Sequence, residues 1–299
     1  MHRVLSIFCG LLLLVSPLMA QGAPAPAAAP TDHPMFQVAV QGQGAPMILI
    51  PGLASPGAVW NSTVARYAPH YQCHVLTLAG FAGEAPAPDF SLQKVLDQLS
   101  LYIAANKLDH PVIVGHSLGG TLALWLAAEH PDQVGKLVIV DSLPALGATM
   151  NPSATGEQLR ANAARIRQGM LRMPEEARLK MARRTVEGMV TAAGDVELVY
   201  GWSQSSDAAT EANAMADLMG LDLRDAVAKI QAPALVLGTW VAYAQYGGQA
   251  GVRRTFETQY AKLKGVEIEL APNSRHFIMY DDPQWMFSTM DSFLGAKAR

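Results

Sequence analysis

The segment Val112–Gly120, with the sequence VIVGHSLGG, most constrains the fold that this chain can adopt. A short apolar run meets a Gly-x-Ser-x-Gly turn, and the helical pattern TLALWLAAEH follows directly. A serine at a sharp strand-to-helix turn adopts strained backbone angles, so residues without side chains are needed on either side of it. The turn lifts the Ser117 hydroxyl clear of the sheet, beside a helix N-terminus whose free N–H groups face a developing oxyanion. The segment therefore predicts a nucleophilic serine; the alternative is a purely structural glycine turn.

From Phe36 onward, short apolar strands alternate with longer helical patterns, which is typical of a parallel sheet in an α/β domain. The strands are β-branched runs without polar alternation, as expected when helices cover both faces of the sheet. The predicted strands are Met47–Ile50, His74–Leu78, Val112–Val114, Leu137–Val140, Ala234–Leu237 and Val266–Leu270. The predicted helices are Val59–Tyr67, Leu92–Ala105, Leu118–Glu129, Arg253–Leu263 and Pro283–Phe293.

A long insert interrupts this alternation, because about ninety residues separate Val140 from Ala234. Residues 145–229 are helical in pattern, and their methionines are either core filler or the adaptable lining of a pocket for an apolar substrate. The methionines are Met150, Met170, Met173, Met181, Met189, Met215 and Met219. Basic residues in the first half of the insert are expected to form a solvated face, with binding of an anionic substrate group as the alternative. They are Arg160, Arg165, Arg167, Arg172, Arg178, Lys180, Arg183 and Arg184.

Taken together, the segments of the chain from about Phe36 to Phe293 resemble the α/β-hydrolase family. The matching pieces are IPGL at 50–53, GHSLGG at 115–120, the long insert, DLRDAVAKIQAPALVL at 222–237 and SRHF at 274–277. The resemblance implies an α/β-hydrolase fold, in which helices flank an eight-stranded, mainly parallel sheet and a helical cap is inserted after the sixth strand. Residues 35–144 and 230–299 would then form the core and residues 145–229 the cap. The resemblance also implies a serine–histidine–acid triad.

The oxyanion hole is predicted to consist of two backbone N–H groups. The family's usual His-Gly after its third strand is Pro51-Gly52 in this chain, and the resemblance assigns the donor to the next residue, Leu53. The second donor would be Leu118, the residue after the nucleophile. Because both donors belong to the main chain, the loss of the histidine need not remove function.

His276 is predicted to be the general base. Of the histidines, His130 and His276 alone follow Ser117 in the chain. His130 stands in a Glu-His-Pro segment at the end of a helix, where helix-terminal capping accounts for it. His276 lies between the last strand and the final helix, in a segment that resembles the family's histidine segment; a surface or core histidine is the alternative. Asp281 and Asp282 follow shortly after and are expected to cap the last helix.

The acid of the triad departs from the family pattern. An aspartate usually follows the strand Ala234–Leu237 as Gly-x-x-Asp, but residues 238–241 of this chain are GTWV. Asp141, at the C-terminal end of the strand before the insert, is the nearest substitute, because catalytic groups collect at that edge of open parallel sheets. Some family members carry the acid there. The alternative is a capping or turn aspartate, because Ser142 and Pro144 follow.

Residues 1–20 indicate an export signal, with Arg3 near the start, an apolar run and the small residue Ala20. The apolar run Val4–Val15 is short for a spanning helix, which needs about 20 apolar residues. A single membrane anchor is the alternative. Residues 21–34 form a Pro/Ala-rich linker. We therefore expect a periplasmic or secreted protein without stable membrane insertion after cleavage.

Composition and charge narrow the classes of function. The 299 residues are 50% hydrophobic and 16% charged, which excludes a disordered or polyelectrolyte chain. The net charge of -3 gives no basic footprint for nucleic acid, and the histidines and carboxylates lack ligand spacing, so no metal or other cofactor is expected. The expected activity is hydrolysis of a small carboxylic ester, with an apolar acyl or alcohol part, through an acyl-enzyme on Ser117. Cleavage of an amide, thioester, lactone or C–C bond, acyl transfer, and a binding protein on a catalytically weakened fold stay open.

Overall fold

The computed structural model describes residues 33–295 of the chain. The predicted export signal at residues 1–20 and residues 21–32 of the predicted linker lie outside the described residues. No helix within the described residues is long and apolar enough to cross a membrane.

A single twisted sheet organises the described residues. Its strands are β1 (Phe36–Gly42), β2 (Ala45–Ile50), β3 (Tyr71–Leu78), β4 (Val112–His116), β5 (Lys136–Val140), β6 (Ala234–Thr239) and β7 (Glu267–Ala271). The order across the sheet is β1-β3-β2-β4-β5-β6-β7, in which β1 is antiparallel to β3 and every other neighbouring pair is parallel. The predicted mainly parallel α/β architecture is confirmed. Residues 33–295 contain seven strands instead of the eight that the resemblance implied, and β5 takes the place of the sixth strand, after which the helical insert follows.

The burial of each strand follows from its position in the sheet. All five residues of β4 are buried, because the strand has a partner on each side and helices on both faces. β1 alternates polar and apolar residues in the sequence FQVAVQG and is largely exposed, because it forms an antiparallel edge. β1 is absent from the predicted strands for this reason, since it lacks the continuous apolar run of a central strand.

Helices of the core cover both faces of the sheet, and further helices form the insert. The helices are α1 (Asn61–Tyr67), α2 (Leu92–Ala105), α3 (Leu118–Glu129), α4 (Gly156–Leu171), α5 (Glu175–Met189), α6 (Ala193–Ser205), α7 (Ala208–Gly220), α8 (Gly248–Gln259), α9 (Ile278–Asp281) and α10 (Pro283–Leu294). Successive side chains of a strand point to opposite faces, so Ile113 packs with α2 and α3 while Val114 packs with α1 and α10. The core therefore consists of two apolar layers with the sheet between them.

The insert between β5 and β6 consists of the four helices α4 to α7. α4 packs against α7 at close range: a Cβ added to Gly220 would lie 3.2 Å from the Cβ of Ala163. Ala163 of α4 is buried at this contact, whereas Ala214 and Leu218 of α7 are buried in the main core. None of the seven methionines of the insert is buried, and Met150 and Met181 are exposed. Their interpretation as core filler is therefore wrong for Met150 and Met181, whereas the other five are partly buried and Met189 packs against the core.

The basic residues of the insert are largely exposed, as expected for a solvated face. Arg178 is the exception. Its buried guanidinium donates hydrogen bonds to the carboxylates of Glu175 and Glu211 and to the carbonyl oxygen of Ser203. Arg178 thereby joins α5, α6 and α7.

Candidate active site

Ser117 lies between the end of β4 and the start of α3, as the sequence predicts. Its backbone has a φ of 52° and a ψ of -119°, a combination that L residues seldom adopt. Two glycines make this turn possible: a Cβ on Gly115 would lie 2.3 Å from the Gly119 carbonyl oxygen, and one on Gly119 would lie 2.3 Å from the Ile50 carbonyl oxygen. The Ser117 N–H donates a hydrogen bond of 2.9 Å to the Val140 carbonyl oxygen, which anchors the turn to β5. Ser117 itself is half-buried, so it keeps access to solvent.

His276 and Asp141 meet at the same edge of the sheet. Nδ1 of His276 lies 2.6 Å from Oδ2 of Asp141, and both side chains are buried. The second carboxylate oxygen, Oδ1, accepts a hydrogen bond of 3.0 Å from the Thr239 N–H. An ionised carboxylate accepts hydrogen bonds only, so Nδ1 of His276 carries the proton and Nε2 keeps its lone pair. The structure therefore brings together the histidine and the acid that the sequence singled out.

The geometry of the sheet explains how Asp141 contacts His276. The family's usual position for the acid is residue 241, which is a valine in this chain. Asp141 follows β5 directly and Val241 follows β6, and the two strands are parallel neighbours in which Val140 pairs with Leu237. The carboxyl ends of both strands therefore open onto the same edge. Asp141 has a φ of 44°, and its N–H donates to the Leu237 carbonyl oxygen at 2.7 Å. The alternative was a capping or turn aspartate; the carboxylate caps no helix within the described residues, and its partners are His276 and the Thr239 N–H.

The two predicted oxyanion donors lie on either side of Ser117. Leu118 is the first residue of α3, and Leu53 lies in the loop after β2. Strand β2 pairs with β4 on the side opposite β5. A Cβ added to Gly52 would lie only 3.3 Å from the Cβ of Ser117, so this loop passes directly beside the serine. The N–H groups of Leu53 and Leu118 donate to no acceptor within residues 33–295. Both are thus free to bind a ligand oxygen.

His116 is a site residue that sequence reasoning missed. Its Nε2 lies 3.1 Å from the carbonyl oxygen of His276, and the two rings lie 4.5 Å apart between centroids. Burial, reinforced by the neighbouring His276, holds the pKa of His116 well below its ordinary value. The ring is therefore neutral, and its Nε2–H is the donor that fixes the backbone of His276. The sequence offers no signal for this contact, because the partner is a main-chain atom 160 positions away.

The other residues considered from sequence lie elsewhere. His130 follows α3, a helix of twelve residues that begins beside Ser117. Such a helix is about 18 Å long, which separates His130 from the serine. Asp282 caps α10 as predicted, because its side chain accepts from the Trp285 N–H. Asp281 caps no helix, contrary to expectation, because its carboxylate binds Thr191 and the backbone of Arg275. Within residues 33–295, no cluster of three or more His, Cys, Asp or Glu side chains is arranged to hold a metal ion.

Comparisons with known proteins define the family. The model of the alpha/beta hydrolase family matches residues 47–289, so the chain belongs to this family. The pimeloyl-[acyl-carrier protein] methyl ester esterase of Vibrio vulnificus is 38% identical over 108 residues, which are 36% of this chain and 41% of that enzyme. The chain thus matches less than half of this relative's length.

Two further similarities extend over most of the chain. The N-formylmaleamate deformylase of Pseudomonas putida is 23% identical over 257 residues, which are 85% of this chain and 90% of that protein. Among solved structures, the esterase of Exiguobacterium antarcticum superposes with a TM-score of 0.71 at 17% identity, covering 87% of this chain and 96% of that one. The structural likeness supports the same fold.

Proposed function

We propose that the protein is a serine hydrolase that cleaves a small carboxylic ester through an acyl-enzyme on Ser117. In this proposal His276 is the general base, Asp141 orients it, and the N–H groups of Leu53 and Leu118 form the oxyanion hole. The observation that carries the proposal is the buried contact of 2.6 Å between His276 Nδ1 and Asp141 Oδ2. It leaves His276 Nε2 as the basic nitrogen at the edge of the sheet where Ser117 lies.

Acylation follows from this arrangement. His276 Nε2 takes the hydroxyl proton of Ser117 while Oγ attacks the ester carbonyl carbon. The carbonyl oxygen becomes an oxyanion, which accepts hydrogen bonds from the Leu118 N–H at the start of α3 and from the Leu53 N–H in the loop after β2. The intermediate collapses, the bond to the alcohol oxygen breaks, and the alcohol leaves with the proton from His276. The buried carboxylate of Asp141 stabilises the imidazolium that exists between these steps.

Deacylation repeats the sequence with water as the nucleophile. His276 Nε2 removes a proton from water, the hydroxide oxygen attacks the acyl carbon, and the second oxyanion occupies the same two N–H groups. The bond to Ser117 Oγ breaks, Oγ recovers the proton from His276, and the carboxylic acid is released. Besides the substrate and water, each step uses the three side chains and the two backbone N–H groups named above.

The alternative is a binding protein that has lost catalysis because no acidic residue follows β6 at the family's usual position. The carboxylate of Asp141 fills that role from the end of the neighbouring strand, which favours an enzyme. Amide cleavage is the second candidate, because the similarity that spans most of the chain is to an N-formylmaleamate deformylase. The same triad would serve, with an amine as the leaving group that takes the proton from His276.

Hydrolysis of 4-nitrophenyl acetate and butyrate, measured beside formanilide, tests the proposal. We expect ester turnover that disappears in Ser117→Ala, and a loss of about 10²- to 10⁴-fold in kcat for Asp141→Asn, because the amide would favour the wrong tautomer of His276. Asp132→Asn is a matched control, because Asp132 is an exposed aspartate at the far end of α3. Equal turnover by wild type and Ser117→Ala would contradict the proposal, and turnover of formanilide alone would select the amide candidate.

We also propose that the protein is exported, on the pattern of residues 1–20. N-terminal sequencing of the protein purified from its natural host tests this. A mature chain that starts near Gln21 supports export with cleavage. A membrane-bound chain that keeps residues 1–20 would instead support the anchor.

A further inference from the structure

The loop that carries His276 is held by hydrogen bonds on both sides of the histidine. We call residues 272–277, between β7 and α9, the histidine loop, and residues 187–191, which include the turn between α5 and α6, the insert connection. The N–H of Phe277 donates to the Met189 carbonyl oxygen at 3.2 Å. The Arg275 guanidinium donates to the carbonyl oxygens of Glu187, at 2.5 Å, and Val190, at 3.3 Å. The insert thus contacts the residue before and the residue after His276.

The carboxylate of Asp281 joins these two segments. Its Oδ2 accepts from the Arg275 N–H at 2.7 Å, and it also accepts from the Thr191 hydroxyl at 2.9 Å. Its Oδ1 accepts from the Thr191 N–H at 2.9 Å. The Asp281 carboxylate therefore accepts two hydrogen bonds from the insert connection and one from the histidine loop. The side chain of Asp281 is partly buried.

We propose that Asp281 is a positioning residue, whose carboxylate fixes the backbone next to His276 against the insert connection and so sets the distance from the imidazole to Ser117. This inference rests on the proposed function. Asp281 touches neither the reacting atoms nor the imidazole; it acts through Arg275, one residue before the base. The oxygen of an asparagine amide can replace only one of the two carboxylate oxygens, so its NH₂ group would face either the Thr191 N–H or the pair formed by the Arg275 N–H and the Thr191 hydroxyl. Asp281→Asn therefore breaks at least one of the three hydrogen bonds and places a donor against a donor, while keeping the volume of the side chain.

The neighbouring aspartate provides a matched control. Asp282 has the same residue type and lies one position further along, but its carboxylate caps α10 through the Trp285 N–H. Asp282→Ala removes this helix cap without touching the histidine loop. Both Asp281→Asn and Asp282→Ala are expected to lower the Tm by a few degrees. A loss of activity in Asp281→Asn alone therefore separates positioning from stability.

The experiment measures kcat and KM for 4-nitrophenyl butyrate and the second-order rate of Ser117 labelling by a fluorophosphonate, on the full chain. For Asp281→Asn we expect kcat and the labelling rate to fall about 10- to 100-fold, because small displacements of a catalytic group cost that much. KM should stay within about twofold, and Asp282→Ala should keep the wild-type kcat. Unchanged kcat in Asp281→Asn, with a Tm lowered as in Asp282→Ala, would overturn the proposal.

A milder variant keeps the test informative if Asp281→Asn does not fold. Thr191→Val removes the hydroxyl donor and leaves the backbone N–H, so we expect kcat to fall about 2- to 5-fold, since one of the three hydrogen bonds is lost. In the Asp281→Asn background it should cause a smaller loss than in wild type, because both changes act on the contact between Asp281 and Thr191. Losses that simply multiply, or a full kcat in Thr191→Val beside an unfolded Asp281→Asn, would contradict the role of this attachment.

Failure of the proposed function gives a different result. If wild-type Ser117 is neither acylated by the ester nor labelled by the fluorophosphonate, the serine hydrolase proposal falls, and the inference about Asp281 falls with it. If wild type is labelled and Asp281→Asn is labelled equally fast, the proposed function stands and the inference about Asp281 alone is wrong.

Discussion

Ser117 and Asp141 share an unusual backbone conformation. Both are non-glycine residues with a positive φ, 52° and 44°, and each follows the end of a central strand. Such conformations cost about 1–3 kcal/mol each, so they persist only where the surrounding structure imposes them. Here each N–H donates to a carbonyl oxygen of the neighbouring strand, at Val140 and Leu237. Ser117 and Asp141 are two of the seven non-glycine residues with a positive φ within residues 33–295, and in both the neighbouring strand holds the conformation in place.

His116 makes stability depend on pH. Its pKa in the folded protein lies well below the ordinary value near 6.5, chiefly because the ring is buried. Above about pH 6.5 the ring is neutral in both states; below it the unfolded chain binds a proton that the folded chain does not. The unfolding free energy should therefore fall by up to about 1.4 kcal/mol per pH unit below that point from this residue alone. Urea unfolding between pH 5 and pH 8 measures the slope.

Two variants isolate the contribution of His116. His116→Gln keeps a donor near the His276 carbonyl oxygen but removes the titrating group, so the acid-side slope should become shallower. His70→Gln is the control, because His70 is exposed and remains in water when the chain unfolds. A slope in His116→Gln as steep as in wild type would contradict the neutral, buried state of His116. His74, whose pKa burial also lowers, accounts for part of the slope that remains.

Among the elements, central strands and the long helices were predictable because their patterns are dictated by burial. β4, β5 and β6 are continuous apolar runs flanked by turns, and α3 is apolar on all sides because it is buried between the sheet and other helices. The edge strand β1 was not predictable from such runs. The pairing of β5 with β6 explains why Asp141 could be chosen from sequence, since neighbouring parallel strands end at the same edge.

Contacts between elements that are far apart in the sequence could not be predicted from the sequence. The partner of the His116 ring is a backbone oxygen, and the Asp281 carboxylate binds the insert although its position favoured a helix cap. Asp281 and Asp282 are indistinguishable in sequence, because each is an aspartate close to the start of α10. Only the path of the insert connection separates their roles.

The glycines of the turn around Ser117 give a prediction at the level of the element. Gly119→Ala would place a methyl group 2.3 Å from a backbone oxygen of β2, so α3 would have to move away from the sheet. We expect a lower Tm and a loss of about 10-fold or more in kcat, because the displacement carries Ser117 with it. Circular dichroism melts and ester turnover of purified protein measure both effects.

Gly188→Ala is the matched control for this substitution. Gly188 lies on the exposed side of α5, and a Cβ there meets nothing within 4 Å. Because alanine is the better helix former, Gly188→Ala should stabilise the protein by about 0.5–1 kcal/mol and keep full activity. If both alanine variants behaved alike, the close approach of α3 to β2 would be contradicted.

At the scale of the described residues 33–295, hydrogen bonds attach the insert to segments that follow strands of the sheet. The segment after β3 binds the turn between α6 and α7, because the Asp207 N–H donates to the Gly80 carbonyl oxygen at 2.7 Å and the Gly83 N–H donates to the Ser205 carbonyl oxygen at 3.1 Å. The insert connection binds the histidine loop, as the Phe277 N–H contact with Met189 illustrates. The insert is therefore a fixed part of the surroundings of the proposed active site, attached near the carboxyl ends of the strands.

The central claim is that Ser117 is a nucleophile activated by His276. Intact-mass analysis after incubation with diisopropyl fluorophosphate, followed by peptide mapping, tests it directly, because this reagent needs no knowledge of the natural substrate. We predict one adduct per chain on the peptide that contains Ser117, none in Ser117→Ala, and slow formation in His276→Gln. A protein that gains no adduct, or gains the same adduct in Ser117→Ala, would contradict the account.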